Sequence, residues 1–174
     1  MTHDKPRIAI IPGDPSGIGP ELVSKLVSEA SILDAANIVL IGDAHVFHQG
    51  MAQTGRYFDL IEVTEGELED QRGLGWIAIN TIAQDKVIIA EATIESGRSS
   101  LRCLDKALDL AVSGQVDGVL FCPFNKAALT AAGMNAEDEH RYMGQYLGFE
   151  GYQGELNVMD NLMTTRVTSH IGLK

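Results

Sequence analysis

A loop dense in glycine and proline is the first segment whose residue types could bind a ligand. It spans Gly13–Glu21 and lies between an apolar run, Ile8–Ile11, and a helical pattern. Glycines let a backbone approach a ligand closely, and the free N–H groups of a helix N-terminus favour an anion. Position 22 is Leu, so the third glycine of a GxGxxG dinucleotide fingerprint is absent. Two interpretations of the loop therefore remain: it faces a ligand, or it is a purely structural turn in which Asp14 makes an Asx-type turn.

Two pairs of side chains elsewhere could also bind ligands. Asn125 and Lys126 follow an apolar strand pattern and open a helical one. Lys126 could pair with a carboxylate or phosphate, or the two residues are simply a helix N-cap and an exposed lysine. His45 and His48 are spaced i, i+3, which predicts one helix face. They are either a metal-binding pair or ordinary residues of a solvated or half-buried helix.

His140, Arg141 and His170 are candidates for contact with substrate or metal. His140 and Arg141 follow three acidic residues, a pattern that also suits a solvated helix start because acids complement the helix dipole. The guanidinium of Arg141 could bind a carboxylate or phosphate through two hydrogen bonds. His170 follows a strand pattern, and ligands of α/β proteins collect at the carboxyl ends of strands.

The elements that would position these residues alternate between strand and helix. Strands are predicted at 8–11, 37–41, 60–63, 86–90, 119–122, 156–159 and 162–168, the last two joined in a hairpin. Helices are predicted from Pro20 to Ala30, at 44–55, from Ser99 or Ser100 to Gly114, at 126–132 and at 137–147. The acidic remainder of 57–75 is predicted to be a solvated loop. This alternation predicts an α/β fold with a parallel sheet.

Composition and charge limit the class of protein and of partner. The chain has 174 residues, 45% apolar and 21% charged, which are ordinary globular values and exclude a disordered or fibrous chain. Its 13 basic and 24 acidic residues give a net charge of −11. This argues against nucleic acid as a partner, which would need a basic face. A small anionic substrate held by a few local cations stays compatible.

The cysteines and the N-terminal sequence indicate the cellular compartment of the protein. Cys103 and Cys122 are too few for a disulfide framework and form no CxxC pair, so we predict two buried free thiols. The N-terminus shows no apolar signal-peptide region, and no run reaches the roughly 20 apolar residues of a membrane span. These features predict a cytoplasmic protein without a membrane partner.

Five segments, in order along the chain, carry a family resemblance. They are Gly13–Glu21 (GDPSGIGPE), Glu95–Arg98 (ESGR), Cys122–Gly133 (CPFNKAALTAAG), His140 and Arg166–Leu173 (RVTSHIGL). Together they resemble the 4-hydroxythreonine-4-phosphate dehydrogenase (PdxA) family of vitamin B6 synthesis. Members of that family are about twice as long, so the resemblance covers the N-terminal half of one.

The resemblance implies a fold, an activity and partners. The fold is expected to be the three-layer α/β/α type of isocitrate and isopropylmalate dehydrogenases, incomplete at the C-terminus. Residues 1–122 would form part of a first α/β domain, and 123–174 the start of a second, dimer-forming domain. A homodimer would use NAD and a divalent metal (Zn, Mg or Co) to oxidise a small phosphorylated hydroxy acid such as 4-phosphohydroxy-L-threonine. Decarboxylation would follow, on the route to pyridoxal phosphate.

The resemblance also implies residue roles. His140 and Arg141 would bind substrate, and His170 would be one of three metal-binding histidines. The other two histidines and most of the NAD pocket would lie beyond Lys174, so we expect this chain alone to be inactive. The family has Gly and Thr where this chain has Glu139 and Arg141, which suggests a differently shaped anionic substrate.

Alternatives to this hypothesis stay open. The changes at Glu139 and Arg141 fit a paralogue that acts on threonate or erythronate 4-phosphate. They also fit an enzyme that oxidises an aromatic cis-dihydrodiol carboxylate. A non-catalytic fragment could keep the fold and bind only a partner or a small anion. An unrelated α/β domain would require five ordered chance matches.

Overall fold

The computed structural model describes residues 5–165. The chain divides into two compact units, Met1–Ala136 and Glu137–Lys174. This division differs from the boundary predicted between residues 122 and 123. The helix that follows Asn125 packs against a helix of the first unit, and residues 123–136 therefore belong to that unit.

A four-stranded parallel sheet forms the centre of the first unit. Its strands are β1 (Arg7–Ile11), β2 (Asn37–Gly42), β3 (Leu74–Ala78) and β4 (Gly118–Phe121), in the spatial order β3-β2-β1-β4. All of β2 is buried, as expected of a strand covered on both faces. Ile10 of β1 lies opposite Leu40 of β2 and Leu120 of β4.

Helices cover this sheet. They are α1 (Gly19–Val27), α2 (Ala30–Ala35), α3 (Ala44–Thr54), α4 (Ile94–Val112) and α5 (Lys126–Ala131), with 3₁₀ turns at Glu65–Glu67 and Gln84–Lys86. Val23, Phe47 and Met51 pack with Ile10 and Leu40 in the core between the sheet, α1 and α3. α4 contacts β1, β2 and β4. No helix within residues 5–165 combines the length and apolar character that a membrane span requires.

The second unit is small in its described part. It contains α6 (Glu139–Tyr146) and an antiparallel hairpin of β5 (Leu156–Met159) and β6 (Leu162–Thr165). All eight strand residues are exposed. The hairpin is confirmed, although the predicted second strand continues into residues 166–168, outside the described range.

Several predicted elements are confirmed and others are wrong. The α/β class, β1, β2, β4, α1, α3, α5 and α6 are confirmed. The predicted strand at 60–63 is only an isolated bridge between Glu62 and Trp76. The predicted strand at 86–90 is a 3₁₀ turn followed by a second turn, since the Val87 N–H donates to the Gln84 carbonyl oxygen and the Glu91 N–H to the Ile88 carbonyl oxygen. β3 and α2 were not predicted.

The start of α4 is also corrected. Neither Ser99 nor Ser100 is a cap, because both lie inside the helix and are buried. The helix begins at Ile94 after the N-cap Thr93, whose hydroxyl accepts a hydrogen bond from the Ser96 N–H at 3.0 Å. The Ser96 hydroxyl oxygen in turn accepts a hydrogen bond from the Thr93 N–H, which completes a capping box.

Candidate functional site

The strand order defines a switch point at the carboxyl edge of the sheet. From β1 the chain passes to β2 and β3 on one side, whereas β4 pairs with β1 on the other. Open α/β sheets bind ligands at such a point, where the loops after adjacent strands diverge. The Gly13–Glu21 loop follows β1, and the segment from Cys122 to Lys126 follows β4.

Glycines bring these two loops into direct backbone contact. Gly13 has a φ of 70°, and a Cβ there would lie 2.4 Å from the carbonyl oxygen of Cys122. The Asp14 N–H donates to the Pro123 carbonyl oxygen at 3.0 Å. A Cβ on Gly19 would lie 1.7 Å from the Pro12 carbonyl oxygen. Both glycines therefore have structural reasons to be present, whether or not the loop also contacts a ligand.

The Asp14 carboxyl group connects three segments of the chain. It is 5% exposed, and its Oδ1 accepts a hydrogen bond from the Ser16 N–H at 2.9 Å. Burial raises the pKa of Asp14 above its ordinary value, while hydrogen bonds from the Ser16 backbone and from the side chains of Ser96 and Asn125 lower it. The predicted Asx-type turn is confirmed, and Ser96 and Asn125 are partners that the sequence did not reveal.

The predicted N-cap at Asn125 is confirmed as well. Its side-chain oxygen accepts a hydrogen bond from the Ala128 N–H at 3.2 Å. Because that oxygen caps α5, the side-chain amide is the group available to donate toward Asp14. Asn125 therefore both begins α5 and joins it to the loop after β1.

α4 completes the junction. The Ser100 hydroxyl has two carbonyl oxygens within hydrogen-bond distance, that of Gly13 at 3.0 Å and that of Ser96 at 2.9 Å. A Cβ on Gly97 would lie 2.1 Å from the Ala128 carbonyl oxygen, so α4 and α5 touch backbone to backbone. The Gly-rich loop, the start of α4 and the start of α5 thus form one cluster, which we call the switch-point junction.

Polar groups without partners lie at this junction. The Ser16 hydroxyl is 1% exposed and has no hydrogen-bond partner among residues 5–165. α1 begins at an N-cap, Ile18, whose side chain makes no capping bond. Arg98 and Lys126, which directly follow Gly97 and Asn125, are exposed cations. A hydroxyl, an uncapped helix start and two cations are the donor types that bind anions.

A second polar cluster lies beside the junction on the β2 side. The buried Asp43 carboxylate, which follows β2, accepts hydrogen bonds from the Thr81 N–H at 3.1 and 3.2 Å and from the Thr81 hydroxyl. That hydroxyl is 2.6 Å from the Ser99 hydroxyl of α4. The cluster connects the chain after β3 to α4. In the sequence, the position of Asp43 at the end of a strand was the one feature that could have predicted this cluster.

Both cysteines are buried and free, as predicted. Burial raises the pKa of the Cys103 thiol to about 12, with an added contribution from the negative charge of Asp43. Burial raises the pKa of Cys122 to about 11. Thiols held in this neutral form are poor nucleophiles and metal ligands.

His140 and Arg141 lie in the first turn of α6, in the second unit. Asp138 is the N-cap, and its carboxylate accepts a hydrogen bond from the Arg141 N–H at 2.8 Å. His140 is half-buried and Arg141 is exposed. The local structure is therefore a capped helix start, and the substrate-binding roles of these two residues stay predictions.

The described residues do not form a metal site. His45 and His48 both lie on α3. Residues 5–165 include no group of three or more His, Cys, Asp or Glu side chains that could hold a metal ion. The predicted ligand His170 lies outside the described residues. Residues 5–165 therefore do not supply a complete donor set for a metal ion.

Comparison with protein families gives this geometry a context. The model of the family described as pyridoxal phosphate biosynthetic protein PdxA matches residues 34–174. The chain belongs to this family. The family resemblance is thereby confirmed.

Relatives within the PdxA family support the assignment. A Pseudomonas aeruginosa protein with the provisional name 4-hydroxythreonine-4-phosphate dehydrogenase 2 is 39% identical over 170 residues, which are 97% of this chain and 50% of that protein. Clostridium botulinum proteins provisionally named D-threonate 4-phosphate dehydrogenase are 31% identical over 138 residues, 78% of this chain and 41% of theirs. The chain thus spans about half the length of the curated relatives it matches.

A solved structure confirms the fold. The crystal structure of a 4-hydroxythreonine-4-phosphate dehydrogenase from Burkholderia phymatum superposes with a TM-score of 0.84 at 26% identity. The match covers 97% of this chain and 51% of that protein. The α/β architecture expected for the PdxA family, with about half of it present here, is therefore confirmed.

Proposed function

We propose that this chain forms one half of an NAD-dependent dehydrogenase that oxidises the hydroxyl group of a small phosphorylated hydroxy acid. The reaction includes decarboxylation, and 4-phosphohydroxy-L-threonine is the first substrate to test. Membership of the PdxA family and the dehydrogenase names of its relatives support this proposal. Two buried free thiols fit a reducing compartment, so we place the protein in the cytoplasm.

The switch-point junction is the observation that carries the proposal. The segments containing Asp14, Ser96 and Asn125 lie far apart in the sequence, yet they meet around one carboxyl group. They are also three of the segments that resemble the PdxA family. A shared location at the place where α/β sheets bind ligands indicates a functional reason for their combination.

The donors at the junction suit the phosphate or carboxylate of such a substrate. The uncapped start of α1 offers backbone N–H groups, and Arg98 and Lys126 offer positive charge despite the acidic net charge of the chain. We propose that these groups hold one anionic end of the substrate. His140 and Arg141 would bind its hydroxyl or second anionic group, as the family resemblance implies.

The cofactor assignments reach beyond the described residues. We propose a divalent metal (Zn, Mg or Co) with His170 as one ligand, the others coming from the part of the family fold that this chain does not match. We likewise assign most of the NAD pocket to that part. Neither group has a complete set of binding residues within residues 5–165.

A homodimer is the proposed assembly. In the hairpin, Val158 lies opposite Met163 and Met159 lies opposite Leu162, and all four side chains are more than half exposed. The two pairs lie on opposite faces of the hairpin, and exposed apolar side chains on a hairpin of this kind are available for an interface. Light scattering on the purified protein would show a monomeric mass if the proposal is wrong.

Activity can be tested with the chain joined to, or co-expressed with, the half of the family fold that it does not match. NADH formation would be followed with 4-phosphohydroxy-L-threonine, D-threonate 4-phosphate, D-erythronate 4-phosphate and an aromatic cis-dihydrodiol carboxylate. We expect NADH from a phosphorylated acid, and a loss of about 100-fold in kcat/KM for His140→Ala as a hydrogen bond to substrate is removed. NADH from the dihydrodiol alone would refute the phosphate assignment, and no turnover with folded protein would favour a non-catalytic module.

D-Threonate 4-phosphate is the second candidate substrate. Relatives provisionally named for that activity match 138 residues of the chain. Arg141 stands where the PdxA motif has a small hydroxyl residue, and a guanidinium suits the carboxylate of a sugar acid. A higher kcat/KM for D-threonate 4-phosphate, reversed in favour of 4-phosphohydroxy-L-threonine by Arg141→Thr, is the expected sign of this alternative.

A further inference from the structure

The segment between β3 and α4 is exposed along almost all of its length. It lies at the carboxyl edge of the sheet, where β3 ends and α4 begins. Within residues 83–92, every residue except Val87 is exposed. The backbone forms a 3₁₀ turn at Gln84–Lys86 and a second turn in which the Glu91 N–H donates to the Ile88 carbonyl oxygen at 3.2 Å. We call residues 83–92 the strap.

A backbone hydrogen bond joins the strap to the Gly-rich loop. The Ala90 N–H donates to the Ser16 carbonyl oxygen at 2.9 Å. Ala90 has a left-handed φ of 62°, and among residues 5–165 it is the one non-glycine residue with a positive φ. A residue with a Cβ adopts this conformation at a cost in free energy. The strap is therefore held to the loop against local backbone strain.

The residue that anchors the strap also carries an unpaired polar group. The Ser16 hydroxyl is 1% exposed and has no hydrogen-bond partner in the described part of the chain. A buried hydroxyl without a partner raises the free energy of the folded state, and water or a ligand that reached it would lower that free energy. Because Ala90 contacts Ser16 directly, movement of the strap is a route by which either could reach the hydroxyl.

Apolar side chains flank this contact on both sides. Ile88 and Ile89, which precede Ala90, are 45% and 51% exposed. Ile18, two residues after Ser16, is 59% exposed. Half-exposed isoleucines gain little stability from burial in this conformation. The same side chains would shield a ligand held at the switch-point junction from water.

We propose that the strap is a lid over the switch-point junction. It opens when the Ala90–Ser16 hydrogen bond is released, and it closes over a small phosphorylated or carboxylated ligand. In the closed state the Ser16 hydroxyl would donate to the anionic group, and Ile88 and Ile89 would exclude water from it. Exclusion of water strengthens the electrostatic interactions that hold such a group. The identity of the ligand rests on the proposed function, whereas the opening of the strap does not.

Native-state hydrogen exchange, followed by NMR on the chain, tests the opening. The Ala90 amide should exchange by local opening, at least about 100-fold faster than the Leu40 amide in the centre of the sheet. After correction for intrinsic rates, Ala90→Gly should slow this exchange at least about 3-fold, because glycine adopts the left-handed φ without strain. The Asp70 amide, in a turn at the amino edge of the sheet, is the internal control. An Ala90 amide as protected as that of Leu40 would overturn the proposal.

Inorganic phosphate is the probe for closure, compared with chloride at equal ionic strength. Above its dissociation constant, phosphate should slow exchange of the Ala90 amide at least about 3-fold in wild type. It should have no effect in Ser16→Ala, which lacks the hydroxyl that would hold the anion. Thermal unfolding should show that this variant keeps its fold, since the hydroxyl has no partner to lose. Exchange that phosphate leaves unchanged in wild type, or slows equally in Ser16→Ala, would overturn the proposal.

Turnover adds a third measurement, made on the chain joined to the half of the family fold that it does not match. The double variant Ile88→Ser, Ile89→Ser should lower kcat at least about 10-fold at an unchanged Tm. Ile61→Ser is the matched control and should keep the wild-type kcat, since Ile61 is 60% exposed and lies beside β3. A double variant with the wild-type kcat would overturn the lid. Protection by phosphate without NADH formation in wild type would support the lid and count against the dehydrogenase proposal.

Discussion

A buried carboxyl group is costly unless it is hydrogen-bonded, and Asp14 meets this condition through its neighbours. The Ser16 N–H donates to it at 2.9 Å, and the side chains of Ser96 and Asn125 lie close enough to lower its pKa. Asp14 therefore acts as a positioning residue that holds the loop after β1 to the starts of α4 and α5. Lys126 directly follows Asn125 and Arg98 is two residues after Ser96, so their placement depends on the same carboxyl group.

The first prediction concerns loss of this carboxyl group. Asp14→Ala leaves the buried Ser16 N–H without its acceptor and removes the carboxyl group that faces Ser96 and Asn125, so we expect the free energy of unfolding to fall by about 1–3 kcal/mol. Urea unfolding followed by circular dichroism would measure the change. Asp70→Ala is the control, because Asp70 is exposed, and its effect should stay within about 0.5 kcal/mol. Equal effects of the two substitutions would mean that Asp14 does not organise the junction.

The second prediction concerns pH. Burial raises the folded-state pKa of Asp14, so the unfolded chain ionises at this residue before the folded one does. Between the ordinary value of 3.8 and the raised folded value, wild type should therefore lose stability relative to Asp14→Asn as pH increases. Urea unfolding of both proteins at about pH 4 and about pH 7 measures the difference. A difference that moves the opposite way would show that hydrogen bonding outweighs burial and lowers the pKa.

At the scale of elements, the contact between α4 and α5 depends on Gly97. A side chain there would collide with the Ala128 backbone, which cannot move as a flexible side chain could. We expect Gly97→Ala to destabilise the protein by about 1–2 kcal/mol, because overpacking exceeds the gain in helix propensity. Thermal or urea unfolding would measure it. Gly66→Ala, in the turn Glu65–Glu67 with nothing within 4 Å, should be neutral, and a neutral Gly97→Ala would mean that the two helices separate readily.

The elements predicted correctly are those whose local pattern agrees with their burial. β1 and β2 are short apolar runs inside the sheet, and β4 is an apolar run at its edge, so composition reveals all three. β3 was missed because its sequence, LGWIA, contains a glycine and follows an acidic stretch. Ile88 and Ile89 caused the opposite error. Their apolar run predicts a strand where the structure has none, and both side chains are about half exposed.

Some features of the candidate site follow from local sequence, and others depend on contacts between distant segments. The turn at Asp14 and the cap at Asn125 are local, and residue type and position predict both. Their contact with each other and with Ser96 spans most of the first unit, and no spacing rule reaches that far. The family resemblance marked all three segments without indicating that they meet. His140 and Arg141 stay predictions because the structure places them only at a helix start.

For the whole molecule, the burial pattern assigns nearly all of the core to the first unit. The buried apolar residues begin with Ala9 and end with Met134. Between residues 137 and 165, only Gly144 is buried, and both strands of the hairpin are exposed. A two-stranded hairpin without a covered face is marginally stable on its own.

The last prediction follows from this asymmetry. A chain that ends at Ala136 loses no buried apolar side chain among the described residues, so its urea unfolding free energy should match that of the longer chain within about 0.5 kcal/mol. A chain that ends at Asn125 is the control, since it removes the buried Ala128 and Leu129, and it should lose at least about 3 kcal/mol. Limited proteolysis should accordingly cut first within 137–165 and leave the sheet intact. If truncation at Ala136 instead unfolds the sheet, the first unit is not self-sufficient, and the second unit contributes contacts to its core.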